Sequence, residues 1–524
     1  MEPGQPQAEA VVIQGNRIVA VGSNEAARRW LLEHRNGDQA IEEIDLRGKL
    51  LLPGFNDSHV HFMSGGFSLA VPDLRNTRTP QDFVSGIETY ARTLPQGAWI
   101  TGVDWDHEKW PGTPLPSRQW VDAAAGGRPL LASRFDGHMA LANSRALELA
   151  GITKDTSDPS GGVIVRDHKG EPTGMLKDSA QDLVMKVIPP RSDDEKRVAA
   201  IAATDHAASL GVTSVTDVSA DGDVPLYRKL SEEGRLKTRI YGAQPVYFER
   251  FLATDEGISG PDGFVRIGGV KGFSDGSLGS STAFFFEPYA DDPGNRGLLF
   301  DQMFPEGIML ERVRKCDKAG LQVMIHAIGD AANRIILDLY QQVALENGPR
   351  DRRFRIEHAQ HLAPADLPRF ARQDVIASMQ PYHAADDGCW CDRRLGRERC
   401  AMAYPFKSLI ESGAALAFGS DWTVAPLDPL LGIKAAVARQ TLDGLHPQGW
   451  VPEQKITVEQ AVRAYTMGSA RAEFAENRKG SIAPGKLADL VVLSEDIFHT
   501  APSRIDKARV IFTIVDGEVV FSAT

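Results

Sequence analysis

His59 and His61 stand two residues apart, and Lys271, His326, His358 and Asp421 follow them in that order along the chain. Imidazole and carboxylate are the usual protein ligands of zinc and similar divalent ions. On a strand, imidazoles two residues apart point to one face. Each of the six residues falls at or just after the end of a short apolar run that reads as a β-strand. Six such groups on successive strand ends would form a two-metal hydrolytic centre. Taken singly, each has a plainer explanation. A His-x-His pair arises by chance in long chains. His326, closing LQVMIH, and His358, closing RFRIEH, also fit core histidines, and Asp421 also fits a cap or turn. Lys271, in VKGFSDGSLGS, is cationic at neutral pH and would repel a metal. As a ligand it must be neutral, or carry a carbamate formed from carbon dioxide. The order of all six together favours the metal reading.

The elements that must carry these groups follow a repeating pattern of strand, loop and helix. Strand-like runs cover residues 58–62, 215–218, 240–245, 270–273, 323–326, 354–358, 375–380 and 416–421. Helical spacing precedes two of them, with Ile308, Val313 and Cys316 on one face and Ile335, Leu339 and Val343 on the next. Eight alternations predict an α/β fold, a (β/α)8 TIM-like barrel, whose active site lies at the C-terminal strand ends where the six ligands fall. A stretch of about 130 residues, 68–197, separates the first two strands, far beyond an ordinary connection. It is expected to be an inserted lid subdomain within a barrel spanning 54–479. Residues 10–22 alternate around a Gly-Asn turn, and apolar runs at 510–515 and 518–521 flank Asp516-Gly517, a hairpin marker. Residues 1–53 plus 480–524 are therefore expected to form a composite β-sandwich domain. A helix over 458–474 opens with a capping box, Thr457 with Gln460.

The chain has 524 residues, 42% hydrophobic and 24% charged, with a formal charge of −12. That balance argues against nucleic acid or an anionic membrane as partner. The first ten residues are polar, no apolar run reaches a membrane span, and four cysteines cannot make a disulfide framework. A reducing, cytoplasmic setting is expected. Cys389, Cys391 and Cys400 cluster around Trp390 and several arginines. A structural zinc site there would lack an evident fourth ligand; the alternative is a mobile loop with ordinary thiols.

The motifs FNDSHVHF, VKGFSDGSLGS, HAIGDAANR, EHAQ and FGSDW, with GKLADLVVL near the end, resemble the amidohydrolase superfamily. Together with RFDGHMALANSRAL they are similar to its N-substituted formamide deformylase (YtcJ-like) branch over nearly the whole chain. The small N-terminal sheet looks abbreviated beside that branch, whose members commonly start with a further strand. The resemblance implies one metal on His59, His61 and Asp421, a second on His326 and His358, and a carbamylated Lys271 bridging them. It implies hydroxide attack on a carbonyl carbon, with Asp421 as proton shuttle, and some relatives use a single ion. Zinc is the expected metal, one or two ions. His138 and Asn143, within the insertion, become candidates for substrate contact, His138 also for oxyanion support.

Weaker candidates come from position alone. Asp275, four residues after Lys271, would orient a ligand or cap a turn. His383, after the seventh strand, would line the pocket or lie on a solvated loop. Trp105 and Trp110 would wall the pocket, or pack in a core. An aromatic lid would favour hydrophobic N-substituents. The expected protein is a metal-dependent hydrolase acting on a small molecule through a non-peptide C–N bond of an amide or formamide, and family habit suggests a homo-oligomer, a dimer. The alternatives are an ester, lactone, cyclic amide or imine as electrophile, and a scaffold that kept the barrel without its chemistry.

Overall fold

The computed structural model describes residues 4, 6–34, 41–220, 222–247 and 263–523. Residues 1–3 and 5 of the polar opening segment therefore lie outside the described residues. Eight parallel strands form the central sheet: β1 (Phe55–Val60), β2 (Val212–Asp217), β3 (Arg239–Pro245), β4 (Val265–Phe273), β5 (Gln322–Ala327), β6 (Arg355–His358), β7 (Ile376–Met379) and β8 (Leu416–Phe418). Every residue of β1, β2, β5, β6, β7 and β8 is buried. Such continuous burial is what a parallel sheet covered on both faces requires.

Neighbours pair in sequence order from β1 to β8. The sheet closes just beyond β8, where Val60 bridges Trp422 in parallel. There Asp421 N donates to His59 O and His61 N donates to Trp422 O, both at 2.7 Å. The barrel seam thus runs through three of the residues singled out in the sequence. The buried Asp57 carboxylate reinforces it by accepting from His59 N and Ser420 N, each at 3.0 Å. Gly419 is needed here, because a Cβ would come within 2.6 Å of Asp57 Oδ1 and His59 N.

The helices before β5 and β6 are Ile308–Lys318 and Asp330–Asn347. Of the expected faces, Val313, Cys316, Leu339 and Val343 are buried, and only the first position of each is shifted by one residue. Met309 is buried where Ile308 is only half-buried, and Ile336 where Ile335 is. Apolar residues adjoin at that position on both helices, and the barrel chose between them. The capping box of Thr457 and Gln460 is present, but the helix it opens runs as Val458–Arg463, a π turn at Ala464–Gly468 and Ser469–Ala472.

Leu50–Pro53 pairs with Leu490–Leu493, which pairs onward with Val510–Val515 and Glu518–Ser522. Asp516 and Gly517 both have positive φ, 56° and 85°, as a two-residue hairpin turn of this twist demands. The hairpin Ala10–Gln14 with Arg17–Gly22 joins that end of the molecule through a bridge between Arg17 and Leu487. Buried Arg239 of β3, paired with Asp489 at 2.7 Å, ties this sheet to the barrel.

Between β1 and β2 lies a five-stranded mixed sheet, in the order Ile100–Trp105, Leu130–Arg134, Met139–Ala142, Pro172–Asp178 and Gly162–Arg166. It has its own apolar clusters. Trp105 and Trp110 belong to one of them, stacked at 6.0 Å with their rings buried. Of the two expectations for these residues, pocket wall or core, the structure places both in a core, and the aromatics lining the barrel cavity are Phe135, Phe273, Phe300 and Trp390. The two tryptophan rings hold the insertion together, and an inserted unit of this size needs an apolar centre of its own.

Candidate metal centre

The barrel brings His59, His61, Lys271, His326, His358 and Asp421 around one cavity of about 350 Å³. His59 sits inside β1 and His61 just past its end. Lys271, His326 and His358 lie near or at the ends of β4, β5 and β6. Asp421 lies three residues beyond β8. His59 Nε2 and His61 Nε2 approach Asp421 Oδ1 to 3.4 and 3.3 Å. Lys271 Nζ lies 3.4 Å from His59 Nε2. His358 and Asp421 adopt left-handed backbone, φ 74° and 60°. For residues with a Cβ this conformation costs about 1–3 kcal/mol and persists only where the surroundings impose it.

The ring orientations are held from behind. His59 Nδ1 is 2.6 Å from Glu357 Oε2, and Glu357 is gripped by Arg355 Nε at 2.7 Å, all three side chains fully buried. His358 Nδ1 is 2.8 Å from Gln380 Oε1. A carboxylate or amide behind a ligating imidazole fixes its tautomer and frees the other nitrogen for an ion. Behind His326 the partner of Nε2 is the Gly276 carbonyl oxygen at 3.1 Å, on a loop that Asp275 braces. Asp275 accepts from the backbone N–H of Phe284, Ile328 and Gly329 at 2.8–3.0 Å and lies 3.5 Å from His326 Nε2. It is fully buried outside the cavity lining, so the structure makes it a positioning group rather than a substrate contact.

Burial lowers His59 to about 4, with the nearby Lys271 charge adding to the effect. Burial also holds His326 and His358 well below the usual imidazole range, so all three rings are neutral. Burial lowers Lys271 to about 8, against the pull of Glu357 and Asp421. For Glu357 burial acts upward, but Arg355 and then His59 outweigh it and bring the carboxyl to about 2. Asp421 is likewise buried, yet His59, His61 and His358 keep it well below the ordinary carboxylate value.

These donors fit a divalent ion. Asp421 Oδ1 and His383 Nε2 are buried with no hydrogen-bond partner among the described residues, a costly state unless something else satisfies them. Two triples of donor atoms lie within 4.8 Å of one another: His59, His61 and Asp421, and His358, His383 and Asp421. Three neutral-imidazole or carboxylate donors with an open position make a catalytic zinc geometry. His383 is not on a solvated loop. It lies on the helix Pro381–Asp387, lines the cavity, and has Nε2 4.0 Å from Asp421 Oδ2. His326 sits beside His358, ring centroids 4.5 Å apart, with Nε2 3.1 Å from the Gly276 carbonyl oxygen.

His138 comes in from the insertion and does line the cavity. Its Nδ1 is 2.6 Å from Asp178 Oδ1 and its ring is 5.0 Å from that of His326. Asn143 does not reach the cavity. It is buried in the insertion, where Oδ1 accepts from Leu130 N and Ala146 N and Nδ2 donates to Arg128 O. This is the work of a helix cap, one of the strongest preferences of that residue type. The sequence pattern assigns no role to Glu357, Gln380 or Asp178. Only Glu357 carried a usable signal, an acid directly before a strand-end histidine in RIEH.

Two of the clustered cysteines lie on short helices rather than on a loop, and among the described residues the cysteines form no group of three close ligand atoms. Cys391 and Cys400 are buried at the start and end of two short helices with Sγ atoms 3.2 Å apart, and Cys389 is half-buried. No described helix is long and apolar enough to cross a membrane.

A family profile described as "Amidohydrolase family" matches residues 42–521. Protein LONG AFTER FAR-RED 3 of Arabidopsis thaliana is 40% identical over 98% of this chain and 89% of its own length. The N-substituted formamide deformylase of Arthrobacter pascens is 27% identical over 99% of this chain and 95% of its own. Among solved structures, an uncharacterized metal-dependent hydrolase from Pyrococcus horikoshii superposes with a TM-score of 0.75 at 28% identity, covering 94% of each chain.

Proposed function

The chain belongs to the amidohydrolase family, and on that premise we propose a metal-dependent hydrolase that cleaves a non-peptide C–N bond in an amide or N-substituted formamide. One observation carries this reading: the orphaned Asp421 Oδ1 converges with His59 and His61 Nε2, at 3.4 and 3.3 Å, on a cavity at the barrel's C-terminal end. In this reading His59, His61 and Asp421 hold one zinc ion, and His326 and His358, with a carbamate on Lys271, hold a second. An amine buried to about 8 is unprotonated often enough near neutrality to take up carbon dioxide. His383 offers an alternative donor beside His358.

A bound divalent ion would lower the pKa of a water molecule and polarise the amide carbonyl. The chain's own residues do the rest. Asp421, facing the cavity beside His59 and His61, accepts a proton from the attacking water and returns it to the departing amine nitrogen, so water plus amide gives acid plus amine. His138, aligned by Asp178, donates toward the developing oxyanion. Glu357 and Gln380 keep His59 and His358 in their ligating tautomers.

The likeness to a formamide deformylase favours formamides over larger acyl groups. A cytoplasmic setting suits four free thiols, and a homodimer and the division into residues 1–53 plus 480–524, 54–479 and the 68–197 insertion belong to the same reading. The test is release of free amine from a panel of N-substituted formamides and acetamides by zinc-loaded protein. Release from formamides in preference supports it. No release from any, with zinc bound, rejects C–N cleavage of simple amides and turns attention to lactones, esters and cyclic amides.

A further inference from the structure

The cavity is lined by apolar side chains such as Phe135, Phe273, Phe300 and Trp390 together with several carboxylates, and one of these carboxylates has been left without a partner. Asp386 lies on the helix Pro381–Asp387, is 8% exposed, and lines the same cavity as the six candidate ligands. Among the described residues no side chain or backbone group hydrogen-bonds to its carboxylate, and no ion pair includes it. Its neighbours are otherwise engaged. Asp387 accepts from Gln360 Nε2 at 2.7 Å and from Tyr404 Oη at 2.5 Å. Asp136 accepts from Ser277 Oγ at 2.6 Å and is paired with Arg134. Arg134 also reaches Asp106 at 3.3 Å, and Lys109 pairs with that same Asp106 at 3.8 Å. The cations that approach Asp386 are thus committed to other carboxylates.

A carboxylate whose residue is largely buried but whose acceptor sites open onto a cavity is placed to take the donor of a ligand bound there. Burial accordingly pushes Asp386 up, with Lys109 and Arg134 only partly opposing it and Asp106 reinforcing it. The position is also suggestive. Asp386 stands one helical turn, about 5 Å of rise, beyond His383, whose Nε2 is 4.0 Å from Asp421 Oδ2. A group held by Asp386 would therefore sit at the end of a short chain attached to the reacting carbonyl centre.

We propose that Asp386 selects substrates carrying a primary ammonium or guanidinium group a few bonds from the scissile bond. The proposal deepens the hydrolase reading and rests on it for where the reacting carbonyl lies. It adds a cation subsite to a cavity whose wall carries Asp136, Asp178 and Asp386 beside the apolar Phe135, Phe273, Phe300 and Trp390, and Trp105 and Trp110, packed inside the insertion, take no part in it.

The experiment compares two hydroxamates of equal chain length, one ending in an amine and one in a methyl group, by calorimetry on the zinc-loaded enzyme. The hydroxamate anchors at the metal and is not consumed as an amide, so the chain end alone is compared. The aminoalkyl compound is expected to bind roughly tenfold or more tightly, the size of one charge-assisted hydrogen bond. In Asp386→Asn the ratio is expected to collapse to about one, a loss of charge preference that a merely structural role would not produce. Equal binding of the two compounds by the wild type, whether both bind or neither does, overturns the proposal, as does a ratio that survives in Asp386→Asn. Amine release from formamides bearing a terminal ammonium group is scored separately. Failure there with the charge preference intact rejects the amide reading and leaves the cation site standing.

Discussion

On the barrel side of the cavity, His59, Glu357 and Asp421 come from β1, from β6 and from the segment after β8, and meet only because the sheet closes. On the insertion side, Arg134, Asp136 and His138 lie within five residues around a single reverse turn between Leu130–Arg134 and Met139–Ala142. The first wall is fixed by long-range hydrogen bonds, buried ion pairs and left-handed backbone at His358 and Asp421. The second is presented by a small sheet with its own core. The contrast separates two tasks. Rigid strand ends hold donors to within fractions of an ångström, which ligation demands, while a locally encoded unit supplies the groups that recognise and orient a substrate.

The sharpest way to break that contrast is at the seam. Asp421→Asn should reduce kcat by at least about 10³-fold with a melting temperature close to wild type. Turnover near wild type in that variant would remove Asp421 from the proton path. Across the cavity, His138→Ala should lower kcat by about 10²-fold while zinc content, read by atomic absorption, stays unchanged. Zinc loss instead would mean that the insertion builds the centre as well as serving it. Glu357→Gln tests the converse. Zinc affinity should fall about 10–100-fold, measured by competition with a chelating dye, because His59 loses the carboxylate behind Nδ1. Unchanged affinity would show that the buried Arg355–Glu357 pair serves folding alone. The smallest effect belongs to Asn143→Ala, which should cost about 2 kcal/mol of stability in a denaturant titration and leave kcat/KM within about twofold. A raised KM would return Asn143 to the substrate site.

Much of the barrel was legible because strand ends leave a local signature. An apolar run, a ligand-type residue and a polar loop recur, and all eight expected strand regions overlap strands of the barrel. The insertion was legible as a long gap between the first two strands, but whether its tryptophans face the cavity or a core was not. An aromatic residue in a Pro- and Gly-rich stretch looks the same whether it faces a substrate or a neighbouring sheet, and burial of Trp105 and Trp110 was decided by packing. His383 was underrated for a related reason. Nothing in QPYHAADD says that the helix begins at Pro381 and turns that imidazole toward Asp421.

The sequence by itself determined the donor types, their order and their strand-end positions, because side-chain chemistry and hydrophobic period are properties of short segments. Tertiary structure alone decided which donors converge, which imidazoles are backed by Glu357 or Gln380, and which carboxylate is left unpartnered at Asp386. Those are distances between residues far apart in the chain, set by sheet closure and by burial, and no local pattern encodes them.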